Sequence, residues 1–175
     1  MRYIRPVRIE GNLAYITLTK GYEAVIDASN ASMVKDKNWF AQVNKPGARV
    51  YAFCGDYSGP KPKKVLLHRA VMGAPAGLDV DHINHNTLDN RKANLRLATR
   101  SDNMANRAGL DANNTLGFRG INRTPNGRFT AKIKCRGQKL HIGTYDTAAA
   151  AAAAFTSKAK ELFGEFYSEV LPEEK

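Results

Sequence analysis

The N-terminal part of the chain alternates apolar and polar positions in short runs that end at turn-forming residues. Val7–Glu10 stops at Gly11, and Leu13–Leu18 continues to a second turn near Gly21. Tyr22–Asp27 repeats the same alternation. A period of two is typical of half-buried β-strands, because successive side chains on a strand point to opposite faces. The pattern therefore predicts a small β-rich module at this end of the chain.

The next segments along the chain complete this module. We expect a short helix over Ala28–Lys37 and further strands at Trp39–Ala41 and Val50–Phe53, with a thin, aromatic core. Gly55–Lys64 is rich in turn-forming and charged residues, a composition typical of an exposed loop or linker. Its lysines, Lys61–Lys64, are interpreted as solvated, with phosphate contact as the alternative.

Three more strands are predicted between Phe118 and Tyr145. Two turn signals divide this segment, Asn126-Gly127 and Arg136-Gly137, and dipeptides of this kind close tight β-hairpins. The spacing therefore predicts an antiparallel three-stranded sheet.

A helix is predicted directly after this sheet. Thr147 is a good N-cap, the alanine run 148–154 has the highest helix propensity, and Gly164 ends the pattern. Phe155 and Leu162 continue one apolar face. We therefore expect the helix to lie close on the sheet, with small alanine side chains between them.

The charge balance favours a polyanionic partner. Lys and Arg number 27 against 16 Asp and Glu, a formal net charge of +11, so nucleic acid is the leading partner class. No apolar run is long enough for a membrane span and the start lacks a secretory signal, so we expect a cytoplasmic or nucleoid location and no membrane partner. Cys54 and Cys135 are too far apart in sequence to form a zinc-binding pair.

The chemistry-bearing residues are concentrated between Val65 and Arg107. Asp81 and Asn103 offer oxygen ligands suited to Mg²⁺, Mn²⁺ or Ca²⁺, and a neutral His82 can take a proton from water. This combination could hydrolyse a phosphodiester. Adjacent strand residues face opposite sides, so Asp81 and His82 can serve one site only if their strand is twisted or ends there.

The local pattern predicts a strand, a returning strand and a helix around this site. Asp81 and His82 close the first strand, and Asn94-Leu95-Arg96 forms the returning strand. Thr99 is expected to cap the helix with Asp102 three residues later, which places Asn103 in the first turns.

These residues, from Leu67-His68-Arg69 to Asn103, resemble the HNH endonucleases, the ββα-metal nucleases of phage and intron homing type. The resemblance covers about 65–107. It implies that His82 is the general base, and that Asp81 and Asn103 bind a divalent metal, Mg²⁺ first and Mn²⁺ as the alternative. It also implies roles for four further residues: Asn94 as the brace of the His loop, Arg96 and Arg100 as phosphate (DNA) or structural contacts, and His68 as a further candidate catalytic residue.

The other histidines have simpler interpretations. His68 could equally support the fold or touch phosphate. His85 stands where many relatives carry Gly, and it is interpreted as a turn residue, with a His82-x-x-His85 metal pair left open. We assign no chemistry to His141.

The predicted C-terminal sheet is basic. Its motifs are Gly117-Phe118-Arg119-Gly120-Ile121, then Arg128–Ile133, then Leu140–Thr147 followed by the alanine-rich helix. In this order they resemble the APETALA-type (ethylene-response-factor) DNA-binding domain over about 115–165. On a strand, Lys132 and Lys134 share one face, which would present cations to DNA while the other face packs on the helix. A solvated charged face is the alternative. By the resemblance, the candidate DNA contacts are Arg119, Arg123, Arg128, Lys132 and Lys134.

Taken together, the predicted fold class is α+β. The predicted domains are a β-rich N-terminal module (1–64), a ββα-metal nuclease unit (65–108), a connector (109–114), a three-stranded antiparallel sheet packed on one α-helix (115–167) and an acidic tail (168–175).

The predicted function is a divalent-metal-dependent endonuclease of homing type that nicks or cuts double-stranded DNA in a phage-infected or bacterial cell. We expect no small-molecule cofactor, and self-association is left open. Two alternatives remain: a catalytically inactive DNA-binding regulator that uses the C-terminal sheet, and an RNA-binding protein.

Overall fold

The computed structural model describes residues 4–44, 49–107, 109–111 and 113–169. It has a mixed α+β fold with several small antiparallel sheets and few helices, as predicted in outline. The chain divides into two compact units, Met1–Ala98 and Thr99–Lys175. Residues 170–175 of the predicted acidic tail lie outside the described residues.

The first unit begins with an antiparallel sheet in the order β1-β2-β3. Its strands are β1 (Val7–Glu10), β2 (Leu13–Thr17) and β3 (Glu23–Asp27), which confirms the alternation in the sequence. The helix predicted over Ala28–Lys37 is wrong in type and length, since a 3₁₀ helix covers only Ala28–Met33.

A second antiparallel sheet is formed by β4 (Phe40–Val43), β5 (Val50–Asp56) and β6 (Lys63–Leu66). The linker predicted over Gly55–Lys64 is therefore only partly right. Its two ends pair with each other, because Gly55 of β5 lies opposite Lys64 of β6.

A short helix and a two-stranded hairpin complete the first unit. Helix α1 spans Leu67–Met72, and the hairpin consists of β7 (Asp79–His82) and β8 (Leu95–Ala98), with a 3₁₀ turn at Lys92–Asn94 just before β8. The predicted pair of strands is confirmed, except that Asn94 lies in the turn before β8 and not in the strand.

One hydrophobic core joins the segments that the predicted domain boundary separates at residue 64. Buried Ile16 and Ile26 of the first sheet belong to the same cluster as Leu67 of α1 and Val80 and Leu95 of the hairpin. The expected thin, aromatic core is wrong, because small and aliphatic side chains dominate this cluster and Trp39 is its one aromatic residue among those described as buried. The first 64 residues therefore fold together with the hairpin.

The second unit contains helix α2 (Arg100–Ala105), then β9 (Ile121–Arg123), β10 (Phe129–Cys135) and β11 (Gln138–Tyr145), then helix α3 (Ala148–Phe163). The strand order is β11-β10-β9, all antiparallel. This confirms the predicted sheet and helix. The unit begins earlier than predicted, because α2 belongs to it.

Helix α3 packs closely on its sheet, as its alanines predict. Ala151 and Ala159 are fully buried, and Thr147 caps the helix by accepting a hydrogen bond from the amide of Ala150. Gly120 has a φ of +72°, and a Cβ there would overlap the ring of Phe155. In the described part of the chain, no helix has the length and apolar character needed to cross a membrane.

Candidate active site

Asp81 and His82 are the last two residues of β7, and both are buried, with exposed fractions of 5% and 6%. Because the strand ends at His82, the two neighbours can contribute to one site, as the sequence pattern requires. Across the hairpin, Arg96 lies opposite Asp81. Its Nε and Nη2 atoms donate to Oδ2 of Asp81 at 2.9 and 2.8 Å.

The ring of His82 is held among three other side chains. Its Nε2 lies 3.4 Å from Oδ1 of Asn90, and its centroid lies 5.1 Å from that of His68 and 6.3 Å from that of Tyr51, both edge-on. Burial lowers the pKa of His82 and outweighs the opposing effects of the Asn90 hydrogen bond and the nearby charge of Asp81. The imidazole is therefore neutral near pH 7 and can accept a proton.

His68, on helix α1, is the second histidine of this site. It is 6% exposed, and burial, together with the neighbouring His82 and Arg69, lowers its pKa to about 3. The structure therefore brings His68 against His82 as a neutral, packed ring. Tyr51 of β5 packs against it with ring centroids 5.7 Å apart, a contact that the sequence pattern does not predict.

Asn94 is the last residue of the loop that joins β7 to β8, and its side chain binds two other parts of that loop. Its Oδ1 accepts from the amide of Asn84 at 3.0 Å, and its Nδ2 donates to the carbonyl of Asp89 at 2.8 Å. Its own carbonyl accepts from the amide of Ile83 at 2.9 Å. These contacts span the loop directly after His82, as a bracing role requires.

Strand β3 holds the same loop through the backbone. The amide of Val25 donates to the carbonyl of Leu88 at 2.9 Å, and the carbonyl of Val25 accepts from the amide of Asn90 at 2.7 Å. Oδ2 of Asp27 accepts from the amide of Lys92 at 2.8 Å. The sequence analysis assigns no role to Asn90. Its burial depends on the pairing of β3 with this loop, and the two segments are distant in sequence.

Arg91 and Asp89 form an ion pair within this loop. The guanidinium of Arg91 donates from Nε and Nη2 to the two oxygens of Asp89, each at 2.7 Å, and Nδ2 of Asn84 donates to Asp89 at 3.0 Å. The Arg91 hydrogen bond is the main cause that lowers the pKa of Asp89.

His85 adopts a left-handed backbone with a φ of +63°. Its amide donates to the carbonyl of His82 at 3.0 Å and closes a turn. Glycine adopts this conformation without strain, so the turn would accept glycine in place of His85.

Asn103 and Arg100 lie on α2, in the second unit. The predicted capping box is confirmed, since Thr99 and Asp102 each accept from the backbone amide of the other. The amide of Asn103 donates to the carbonyl of Thr99 at 3.0 Å, and Arg100 is exposed.

The donor types fit a hard divalent cation. Within the described residues, no three His, Cys, Asp or Glu side chains gather in a way that could hold a metal ion. Mg²⁺ commonly takes only one or two protein ligands and completes its shell with water and substrate phosphate. The Asp81 carboxylate and the Asn103 amide oxygen are ligands of that kind.

The sheet of the second unit presents cations on one face. Lys132 and Lys134 of β10 are exposed, and Ala131 and Ile133 between them are buried, as the alternation predicted. Arg123 of β9 is also exposed, but it lies opposite Phe129 and therefore shares the face of Ala131, not that of Lys132 and Lys134.

Two of the predicted DNA contacts have partners inside the second unit. Arg119 donates to the carbonyls of Ala105 at 3.0 Å and of Arg107, which fixes its guanidinium at the end of α2. Burial lowers its pKa. Arg128 is exposed and forms an ion pair with Asp146 at 2.8 Å.

Comparison with known proteins places this site in a family. The family model described as HNH endonuclease matches residues 61–105. An uncharacterized HNH endonuclease of Acanthamoeba polyphaga mimivirus is 30% identical over 164 residues, which cover 89% of this chain and 80% of the viral protein. No solved structure matches. The matched residues contain β7, β8 and the loop between them, and the chain belongs to the HNH endonuclease family.

Proposed function

We propose that this HNH-type DNA endonuclease hydrolyses double-stranded DNA with His82 as general base, in a ββα-metal arrangement with a divalent cation, Mg²⁺ or Mn²⁺. The observation that carries the proposal is the neutral His82 ring, buried at the end of β7 beside Asp81 and held by Asn90. HNH nucleases generally use a divalent metal.

His82 would take the proton from the attacking water, and Asn94 would keep the loop after His82 in place through its contacts with Asn84 and Asp89. Asp81 and Asn103 are the proposed protein ligands of the cation. The bound cation would stabilise the charge that develops on the scissile phosphate and the leaving oxygen.

We further propose that the second unit is an APETALA-type DNA-binding domain. The exposed cations of its sheet support this, and the candidate contacts are Arg123, Lys132 and Lys134, with Arg128 beside its partner Asp146. Arg100 is retained as a phosphate contact because it is exposed. We propose structural roles for Arg96 and Arg119, whose guanidinium groups bond Asp81 and backbone carbonyls respectively. Homing activity and a phage or other viral setting are proposed from the family resemblance alone.

The test is DNA cleavage by the purified full chain with Mg²⁺, with Mn²⁺ and with EDTA. Supercoiled plasmid reports nicking and cutting separately, and a linear DNA of high sequence complexity guards against a rare target site. We expect cleavage that EDTA abolishes and His82→Ala removes. His141→Ala is the matched control, since it removes an exposed histidine of the second unit.

Two results would contradict the proposal. Cleavage by His82→Ala at the rate of the unmodified chain would remove His82 as the base. DNA that is retarded on a gel yet intact on both substrates with either metal would favour the inactive DNA-binding regulator.

A further inference from the structure

Asn90 is a polar side chain in direct contact with His82, and it is almost completely buried, with an exposed fraction of 1%. Its Oδ1 lies 3.4 Å from Nε2 of His82. A buried amide needs partners for both its oxygen and its nitrogen, so this contact constrains the histidine as well as the asparagine.

The orientation of the Asn90 amide follows from its second contact. Nδ2 lies 3.5 Å from the carbonyl oxygen of Thr87, which can only accept a hydrogen bond. The amide oxygen therefore faces His82, and the reverse orientation would place two oxygens together at Thr87.

The surroundings keep this amide in place. The backbone amide of Asn90 donates to the carbonyl of Val25 at 2.7 Å. The hydroxyl of Thr87 donates to the carbonyl of Val50 at 2.5 Å, and Thr87 is buried. The acceptor oxygen that faces His82 is thus fixed by two strands of the first unit, β3 and β5.

A neutral imidazole carries one N–H, and the acceptor beside one ring nitrogen decides which nitrogen holds it. Oδ1 of Asn90 can only accept, so Nε2 of His82 carries the hydrogen and Nδ1 carries the lone pair. The ring of His68 packs edge-on against His82, with centroids 5.1 Å apart, and limits rotation of the ring.

We propose that Asn90 is a positioning residue, which holds His82 as the Nε2–H tautomer and makes Nδ1 the nitrogen that accepts the proton. The tautomer is inferred from the contacts of Asn90 with His82 and Thr87. Its importance for cleavage rests on the proposed function, in which His82 is the base. A wrong tautomer would present an N–H to the attacking water and could not accept its proton.

The test is long-range ¹H–¹⁵N NMR of the imidazole rings in the full chain at neutral pH. The chain has four histidines, so the signals of His82 are assigned by their loss in His82→Gln. We expect the Nε2–H pattern in the unmodified chain and a mixed or reversed pattern in Asn90→Ala.

Asn86→Ala is the control for general loosening of the loop. Its side chain is exposed and accepts from the amide of Leu88 in the same loop. This variant should leave the tautomer unchanged. Plasmid cleavage should fall about 10- to 100-fold in Asn90→Ala, with DNA retardation unchanged.

An Nδ1–H or mixed pattern in the unmodified chain would overturn the inference, whether or not the variants fold. A folded Asn90→Ala that keeps the Nε2–H pattern would overturn it as well. Failure of the proposed function is a separate result, since it is seen as undiminished cleavage by His82→Ala and does not change the NMR measurement.

Discussion

Arg96 and Asp81 form a buried ion pair across the β7–β8 hairpin, with both Nε and Nη2 of Arg96 bonded to the same carboxylate oxygen. The side chains are only 12% and 6% exposed. A buried carboxylate is costly unless its charge is balanced. Arg96 therefore balances Asp81 in the protein without metal, and a cation bound by Asp81 would share that carboxylate with the guanidinium.

Arg96→Met should destabilise the protein, because it leaves the carboxylate of Asp81 buried without its ion-pair partner. We expect the free energy of unfolding in EDTA to fall by about 3 kcal/mol, as when one partner of a buried pair is removed. The loss should be smaller in Mg²⁺, if the cation binds Asp81. Urea denaturation in the two conditions measures both values.

Arg8→Met is the comparison variant for Arg96→Met. Arg8 forms an exposed pair with Glu23, and such pairs contribute little to stability. A loss in Arg96→Met no larger than that of Arg8→Met would mean that Asp81 does not need its partner.

His68 should make the protein less stable in weak acid. Its pKa is about 3 when folded and near the ordinary 6.5 when unfolded. Below pH 6.5 the unfolded chain therefore binds a proton that the folded chain does not, and stability falls as the pH falls toward 3. From pH 7 to pH 5 this amounts to about 2 kcal/mol.

Urea denaturation of His68→Gln at pH 7 and pH 5 checks this prediction. The loss of stability between the two should be about 2 kcal/mol smaller than in the unmodified chain. His141→Gln removes an exposed histidine and should keep the full loss. An equal loss in all three proteins would mean that His68 is accessible to protons in the folded state.

His85→Gly should retain plasmid cleavage and full folding stability. The left-handed backbone at His85 costs a residue with a Cβ about 1 kcal/mol, and the greater freedom of glycine when unfolded offsets this by a similar amount. His85→Val should lose about 1 to 2 kcal/mol, because a β-branched residue fits this conformation poorly. Loss of cleavage in a folded His85→Gly would instead support the His82-x-x-His85 metal pair.

Replacing Lys132 and Lys134 together with alanine should weaken DNA binding by the second unit's sheet. If each contacts one phosphate, the slope of log K against log salt should become less steep by about 2. Fluorescence anisotropy with labelled duplex at several salt concentrations measures the slope.

The matched variant carries alanine at Lys158 and Lys160 on helix α3. It removes the same charge, but these lysines pair with Glu161 and Glu169. Its slope should stay close to that of the unmodified chain, and equal slopes for the two double variants would exclude the sheet as the DNA-binding face.

Local patterns predicted those parts of the fold that depend on neighbours in sequence. The capping box at Thr99 and the turns of the C-terminal sheet each require only a few adjacent residues. The brace at Asn94 and the base at His82 were proposed from the spacing of the motif and the family resemblance.

The features that the sequence did not predict depend on contacts between segments that are distant in sequence. Val25 and Asn90 are joined by a backbone hydrogen bond. Almost any pair of residue types could form such a bond, so no pattern of side chains predicts it. Arg119 lay in a run of basic residues and was predicted to bind DNA. Its contact with Ala105 comes from the packing of α2, which the sequence does not show.

The hydrogen bonds between β3 and the loop that carries Asn90 also limit how this nuclease can be rearranged. The matched family segment begins at residue 61, whereas Val25 supplies two of the bonds that hold the loop. An exchange of the motif alone between related genes would separate the loop from its support. A segment that still folds after transfer by recombination therefore has to include the strands of the first unit, Met1–Ala98. For the same reason, we expect an N-terminal deletion that removes β3 to disrupt the candidate active site.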